Sequence, residues 1–258
     1  MKAAVLFIFF FISQFVFAIS EDWGANGHRA TAAVADEHLS RKAKKTIKTL
    51  LDGETLVSIS TYADEIKSDN AFRKYSAWHY VNIPFEETYE TIESSEKGDL
   101  ISAIEFCISV LNDADTTKED KKFHLKLLVH FMGDLHQPLH LGLEEDKGGN
   151  DIKVKWFGAS TNLHTVWDSK MINSYDMSYS ELAMNFPKLS KAKVKELQSG
   201  SLLDWVEEIR KKTRMIYDSA SSGDPLGYRY MYDHFSTVEE QLQLGGVRLA
   251  KILNIIFG

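Results

Sequence analysis

The amino-acid sequence predicts a mainly α, single-domain helical bundle with a few short strands. Three observations carry that prediction. Apolar residues recur at helical spacing through residues 100–111 and 117–135, and Ser or Thr stands where a helix N-cap belongs. Apolar/polar alternation marks one short run at 152–157. The 258 residues contain neither an internal repeat nor a low-complexity linker, so one domain over 23–258 is the simplest account.

Residues 1–22 differ in kind from the rest. Lys2 precedes the apolar run Ala3–Ile12, Ser13-Gln14 interrupt it, and Phe15–Ile19 resume it. Val16-Phe17-Ala18 approximates a small-residue cleavage site. The whole run is nearly long enough to span a bilayer, but it is interrupted and no stop-transfer charges follow. The expectation is a signal peptide and short leader, with a secreted or periplasmic product and no membrane anchor after processing.

A Gly-rich opening leads into an alanine-rich helical run from Arg29 to about Leu39. Ser40 reads as the cap of a second helix, Arg41–Leu51, stopped by Asp52-Gly53. Ser58–Lys67 reads as a short helix with Ser58 or Ser60 as cap. Tyr75–Ile83 is aromatic and β-branched and ends at Pro84, which predicts an extended segment. Leu100–Leu111 is helical by its apolar spacing.

The central helix begins near Thr117 and carries Phe123, Leu127, Phe131 and Leu135 as a stripe. Pro138 disfavours helical backbone at Gln137, so that helix stops or kinks there. Leu143–Asn150 is a charged, Gly-rich loop, Ile152–Phe157 a strand and Asn162–Lys170 a helical turn. Ser178–Ala183, Lys188–Gln198, Leu203–Ala220 and Thr237–Phe257 complete the helical set.

Composition excludes one large class. With 30 Lys and Arg against 37 Asp and Glu, the formal charge is −7; losing residues 1–22 removes one cation and two carboxylates and leaves −6. A broad basic face for nucleic acid is therefore not expected, and phosphate binding would need a local positive centre. The single cysteine, Cys107, lies in an apolar run and reads as a core residue, so no intramolecular disulfide can brace the fold.

The densest chemistry lies between Leu128 and Asp168, which hold His130, Asp134, His136, His140, His164 and Asp168. His130/Asp134 and His164/Asp168 are each four apart, so on a helix each pair shares a face. One such pair alone reads as a buried hydrogen-bonded His–Asp couple. Two pairs plus His140 in one segment favour a shared metal site instead, because independent structural pairs have no reason to cluster. Imidazole and carboxylate donors without thiol suit hydrolytic zinc. His140 would lie about 80° from His130 on an unbroken helix. A break at Gln137-Pro138 allows it to turn back toward the same centre. His136 points elsewhere and reads as packing, while His38, His124 and His234 read as surface residues.

These residues, with Trp23 and His28, Tyr62-Ala63-Asp64, Trp78-His79-Tyr80, the run from His130 to His140, Gly148-Gly149-Asn150 and Asn162 to Asp168, resemble the zinc-dependent single-strand nuclease family. That family includes fungal single-strand-specific and plant bifunctional nucleases and is related in fold to bacterial zinc phospholipase C. The matches keep their order from Trp23 to Asp168. The resemblance implies three Zn²⁺ per chain. Asp64, His79, His130 and Asp134 match the ligands of the first zinc, and His140, His164 and Asp168 those of the second. Trp23, through its amino group and carbonyl, with His28 and a shared Asp134, matches the third. That assignment needs Trp23 at the mature terminus, although Ile19–Asp22 separate it from a cut after Ala18.

Asp64 and Asn150 match catalytic residues, and Tyr80, Asn82 and Asn150 match substrate-binding positions. Asn82 stands where the better-known eukaryotic members have an aspartate that binds the base. The implied activity is hydrolysis of single-stranded DNA and RNA to 5′-phosphate products by a metal-bound hydroxide, with room for 3′-nucleotidase activity. Nucleic acid or nucleotides would be the partners, and no protein partner is implied. Zinc-dependent phospholipase C is the alternative; its members carry a glutamate where this chain has Asp168 and lack the long insert holding Gly148-Gly149-Asn150.

Overall fold

A computed structural model describes residues 24–258. The expected leader and Trp23 lie outside the described residues. The helical expectation holds: α1 (Ala25–His38), α2 (Arg41–Leu50), α3 (Leu56–Ile59), α4 (Tyr62–Ile66), α5 (Leu100–Asn112) and α6 (Lys118–Leu135) form the first half. Ser40 accepts from the Ala43 amide at 3.1 Å, so the second helix is capped where its sequence indicates.

The stretch expected as one helix over Ser58–Lys67 is instead two. Thr55 caps α3 through a reciprocal pair with Ser58, and the chain turns at Ser60-Thr61 before α4. The segment expected to be extended from Tyr75 is a 3-10 helix over Asn70–His79 and becomes extended only at Tyr80. Packing overrides β propensity here. Tyr75 lies edge-on to Trp78 at 4.7 Å and against Phe123 at 5.5 Å, which a helical turn permits.

Helix α6 is the axis of the molecule. Thr117 caps it, and from Leu127 to Leu135 every residue is buried. It packs against α1, α3, α4, α5 and α12 (Tyr228–Phe257). It ends at Leu135, and after an extended Gln137 a one-turn 3-10 helix, Pro138–Leu141, carries His140. The Val81 and Ile83 amides donate to the His140 and Gly142 carbonyls at 2.9 and 3.2 Å. This pairing holds the extended segment after His79 against that turn.

Strand β1 (Lys153–Trp156) falls where alternation places it, but its partners were not foreseen: β2 (Ala159–Asn162) runs antiparallel and β3 (Pro225–Leu226) parallel. Beyond them, α7 (Leu163–Thr165) passes through a π-helical turn, Val166–Lys170, into α8 (Met171–Ser174). Three more helices follow: α9 (Tyr179–Asn185), α10 (Lys191–Leu197) and α11 (Leu202–Tyr217). The last, α12, starts nine residues before the expected Thr237, its first turns being aromatic and charged.

Two apolar clusters fill the interior. One gathers α2, α5, most of α6 and the end of α12, with Cys107 buried in it as expected. The other gathers β1, the 163–172 segment, α9 and the start of α12. The His/Asp residues lie at the seam between them.

Candidate metal centre

Six segments converge on that seam. Helix α1 supplies His28, α4 supplies Asp64, and the end of the 3-10 helix supplies His79. Helix α6 supplies His130 and Asp134, the Pro138 turn His140, and the 163–170 segment His164 and Asp168. Their donor atoms form three groups: His28/His130/Asp134, Asp64/His79/His130 and His140/His164/Asp168. Within each group the donors lie within 4.8 Å of one another.

Asp134 is the hub. Its Oδ2 lies 2.9 Å from His79 Nδ1 and 3.2 Å from His130 Nε2, and its Oδ1 lies 3.5 Å from His28 Nε2 and 3.4 Å from His140 Nδ1. Asp64 Oδ1 lies 3.4 Å from His130 Nε2. Asp168 reaches His140 Nε2 at 3.6 Å and His164 Nε2 at 3.5 Å, so His140 stands between the two carboxylates. The break after α6 thus brings His140 back beside Asp134.

Backbone carbonyls set the histidine tautomers. His130 Nδ1 donates to the Ser60 carbonyl at 2.7 Å and His164 Nδ1 to the Gly148 carbonyl at 2.8 Å. A carbonyl can only accept, so Nδ1 carries the proton of each neutral ring and Nε2 is the nitrogen that would ligate, aimed into the cluster, the arrangement usual for metal-ligating histidine.

The electrostatics follow from burial. Burial, reinforced by repulsion from His130, lowers His28 to about 3; burial lowers His79 to about 4. Both are neutral near pH 7, the form that ligates metal. Burial opposes ionisation of Asp64, Asp134 and Asp168, but the neighbouring histidines, joined at Asp64 by Lys67 3.0 Å away, outweigh it and hold all three below the usual carboxylate range. Burial also opposes a charged His130, and Asp134 and Asp64 outweigh it to raise its affinity for a proton. That proton occupies the position a bound cation would contest.

The donor set fits a metal. Asp134 and Asp168 are fully buried and have no Lys or Arg partner among the described residues. Buried polar atoms, including both His28 nitrogens, His130 Nε2, Asp134 Oδ1 and Asp168 Oδ2, make no hydrogen bond among those residues. Leaving such atoms unpaired is expensive, and divalent cations satisfy them together.

Several supports were not legible beforehand. Gln137 Nε2 donates to Asp168 Oδ1 at 2.9 Å while its Oε1 accepts from the Leu139 amide at 2.6 Å. One side chain therefore both starts the turn bearing His140 and orients Asp168. Gly133 lets the His28 ring lie flat over α6, stacked 3.8 Å from His130; a Cβ there would lie 2.6 Å from His28 Nδ1. Tyr217 donates to Asp146 Oδ1 at 2.7 Å, and the same oxygen accepts from the Gly149 amide at 2.7 Å. This clamp holds the Gly148-Gly149-Asn150 loop. Gln137 lies inside the motif, which could have flagged it. Tyr217, far along the chain, carries no such signal.

A cavity of about 430 Å³ opens above the cluster, lined by His79, Tyr80, Asn82, His140, Asn150 and His164. Tyr80 is 46% exposed at its rim, and Asn150 Nδ2 donates to the Lys147 carbonyl at 2.9 Å. Of the remaining histidines, His136 is buried, donating from Nδ1 to the Met132 carbonyl, with Arg248 against Nε2. His38, His124 and His234 are half-buried and outside the cluster. Gly24, where the described chain begins, donates its amide to the Asp168 carbonyl at 2.8 Å.

A family model described as S1/P1 nuclease matches residues 23–258. Endonuclease 3 of Arabidopsis thaliana is 33% identical over 265 residues, covering 91% of this chain and 89% of the relative. Nuclease P1 of Penicillium citrinum is 29% identical over 279 residues, covering 92% and 98%. Nuclease S1 of Aspergillus oryzae is 28% identical over 265 residues, covering 91% of each.

Proposed function

This chain belongs to the S1/P1 nuclease family, and from that premise we propose a secreted, zinc-dependent phosphodiesterase that cleaves single-stranded DNA and RNA to 5′-phosphate products. Removal of 3′-phosphates from nucleotides would be a second reaction of the same site. The observation that carries the reading is the cluster itself: three His/Asp donor groups sharing one floor, beneath a cavity with an exposed aromatic at its rim.

In this reading Asp64, His79, His130 and Asp134 hold one zinc, and His140, His164 and Asp168 a second. His28 and Asp134 hold a third together with Trp23, once removal of residues 1–22 makes Trp23 the amino terminus. Zinc held there would lower the pKa of a coordinated water toward about 7 and stabilise charge on the phosphate and leaving oxygen. The local positive charge also answers the acidic composition.

The chain's own residues do the rest. Asp134 and Asp168 keep the metal positions close together, and Asp64 is the ligand nearest solvent. Asn150, held by the Lys147 carbonyl and the clamped loop, faces the scissile phosphate. Tyr80 takes an unstacked base, a contact worth about 1–3 kcal/mol, which selects single strands because a paired base must first leave its stack. Asn82 lies beside that base. The length-wide likeness to proteins named as nucleases favours this reading over phospholipase C.

The test is elemental analysis of the secreted protein with an activity panel of single-stranded DNA, single-stranded RNA and phosphatidylcholine, with and without chelator. The expected result is zinc near three per chain and chelator-sensitive cleavage of both nucleic acids. Chelator-insensitive cleavage would overturn the mechanism, and lipid cleavage alone would transfer the site to phospholipase C. Amino-terminal sequencing that finds a start before Trp23 in a fully active protein would remove the terminal ligand.

A further inference from the structure

Tyr80 borders not one cavity but two. Besides the cavity it shares with His140 and His164, it lines a larger groove of about 1180 Å³, walled by Arg73, Lys74 and Lys97 and by the rings of Trp78 and Phe106. The chain as a whole carries more carboxylates than cations, yet in this wall three exposed cations face a single carboxylate, Glu96.

The aromatic side of the groove is built rather than incidental. Trp78 Nε1 donates to the Lys97 carbonyl at 3.0 Å, fixing the indole to the segment that carries the cation. Phe106, on α5, is 48% exposed and stands edge-on to Trp78 at 5.9 Å and to His124 at 5.4 Å. Its ring is therefore braced from beneath and open above, as a stacking platform requires. Cations along a groove with aromatic faces between them are what a single strand needs, phosphates on the charges and bases on the rings.

We propose that this groove binds the nucleotides flanking the cleaved position of a single-stranded nucleic acid, with phosphates on Arg73, Lys74 and Lys97 and a base on Phe106. The proposal rests on the nuclease reading above. It supplies what the pocket over the metal cluster lacks: a way to prefer a long strand over a short one. Continuity through Tyr80 gives the register, since a strand with one base on Tyr80 carries its neighbours into the groove.

The test compares the zinc-loaded full mature chain with Arg73→Glu/Lys74→Glu and, separately, Phe106→Ala, on a twelve-nucleotide oligothymidylate and on a thymidine dinucleotide. The expected result is a loss of roughly tenfold in kcat/KM on the long strand, through KM, with dinucleotide cleavage within about twofold of wild type. The double charge reversal should also flatten the dependence of long-strand KM on salt. Equal losses on both substrates, or no loss on either, would overturn the groove. Should the protein cleave neither substrate, the nuclease reading itself fails. The groove is then judged by fluorescence anisotropy of the labelled oligonucleotide: weakened binding by the double variant supports it, and unchanged binding overturns it.

Discussion

Asp134 shows how much one side chain can carry when no water reaches it. Its two oxygens face four imidazoles, and no other carboxylate touches as many of the cluster's histidines. Asp134→Asn keeps the shape and removes the charge, so zinc content should fall and kcat/KM should drop by at least about 100-fold, with circular dichroism unchanged. Gln137 acts through another group. Gln137→Ala frees Asp168 and should weaken zinc retention by about 10–100-fold in a chelator competition, the usual size of a loss behind a metal ligand. Gly133→Ala tests steric placement. Its methyl would meet His28 Nδ1 at 2.6 Å, so bound zinc should fall by about one ion per chain while the other histidines keep theirs. A full complement in that variant would remove His28 from the ligand set.

At the scale of elements, α6 was the most legible part of the chain. Thr117 and Pro138 mark its ends locally, through a side-chain cap and a missing amide, and such local causes are written in adjacent residues. Thr117→Ala should cost about 1 kcal/mol in urea unfolding and leave activity per folded molecule intact, since the cap lies about three and a half turns from His130. The 3-10 helix over Asn70–His79 was not legible, because its conformation depends on Phe123 and Phe131 of α6, remote in sequence. Its aromatic residues favour a strand when read alone. The partners of β1 were missed for a similar reason: Pro225–Leu226 pairs across some seventy residues, with only two residues of pattern to announce it.

For the whole molecule, the absence of any disulfide-capable pair leaves core burial and, in the proposed reading, metal as the means of holding the seam together. Buried Asp134 and Asp168 repel one another across His140 unless cations lie between them. Chelation should therefore lower Tm by at least roughly 10 °C, the scale expected when a single ion bound about a thousandfold above its dissociation constant is removed. Scanning calorimetry with chelator, then with zinc restored, checks both the size of the drop and its reversal. An unchanged Tm would mean that the seam is stable as a metal-free hydrogen-bonded network.

The sequence by itself determined the mainly α class, the limits of the central helix, the family and the identities of the clustered His and Asp residues, because these depend on local periodicity, capping and motif spacing. Tertiary structure alone decided that His28, from the first helix, stacks on His130 and that Asp134 faces donors from four segments. It alone set a clamp from Tyr217 on the loop bearing Asn150 and ran a cationic, aromatic groove away from Tyr80. The contacts of His28 with His130, of His28 and His79 with Asp134, and of Tyr217 with Asp146 join residues tens to more than a hundred positions apart. Spacing along the chain records which donors are present, and only packing records which of them share a centre.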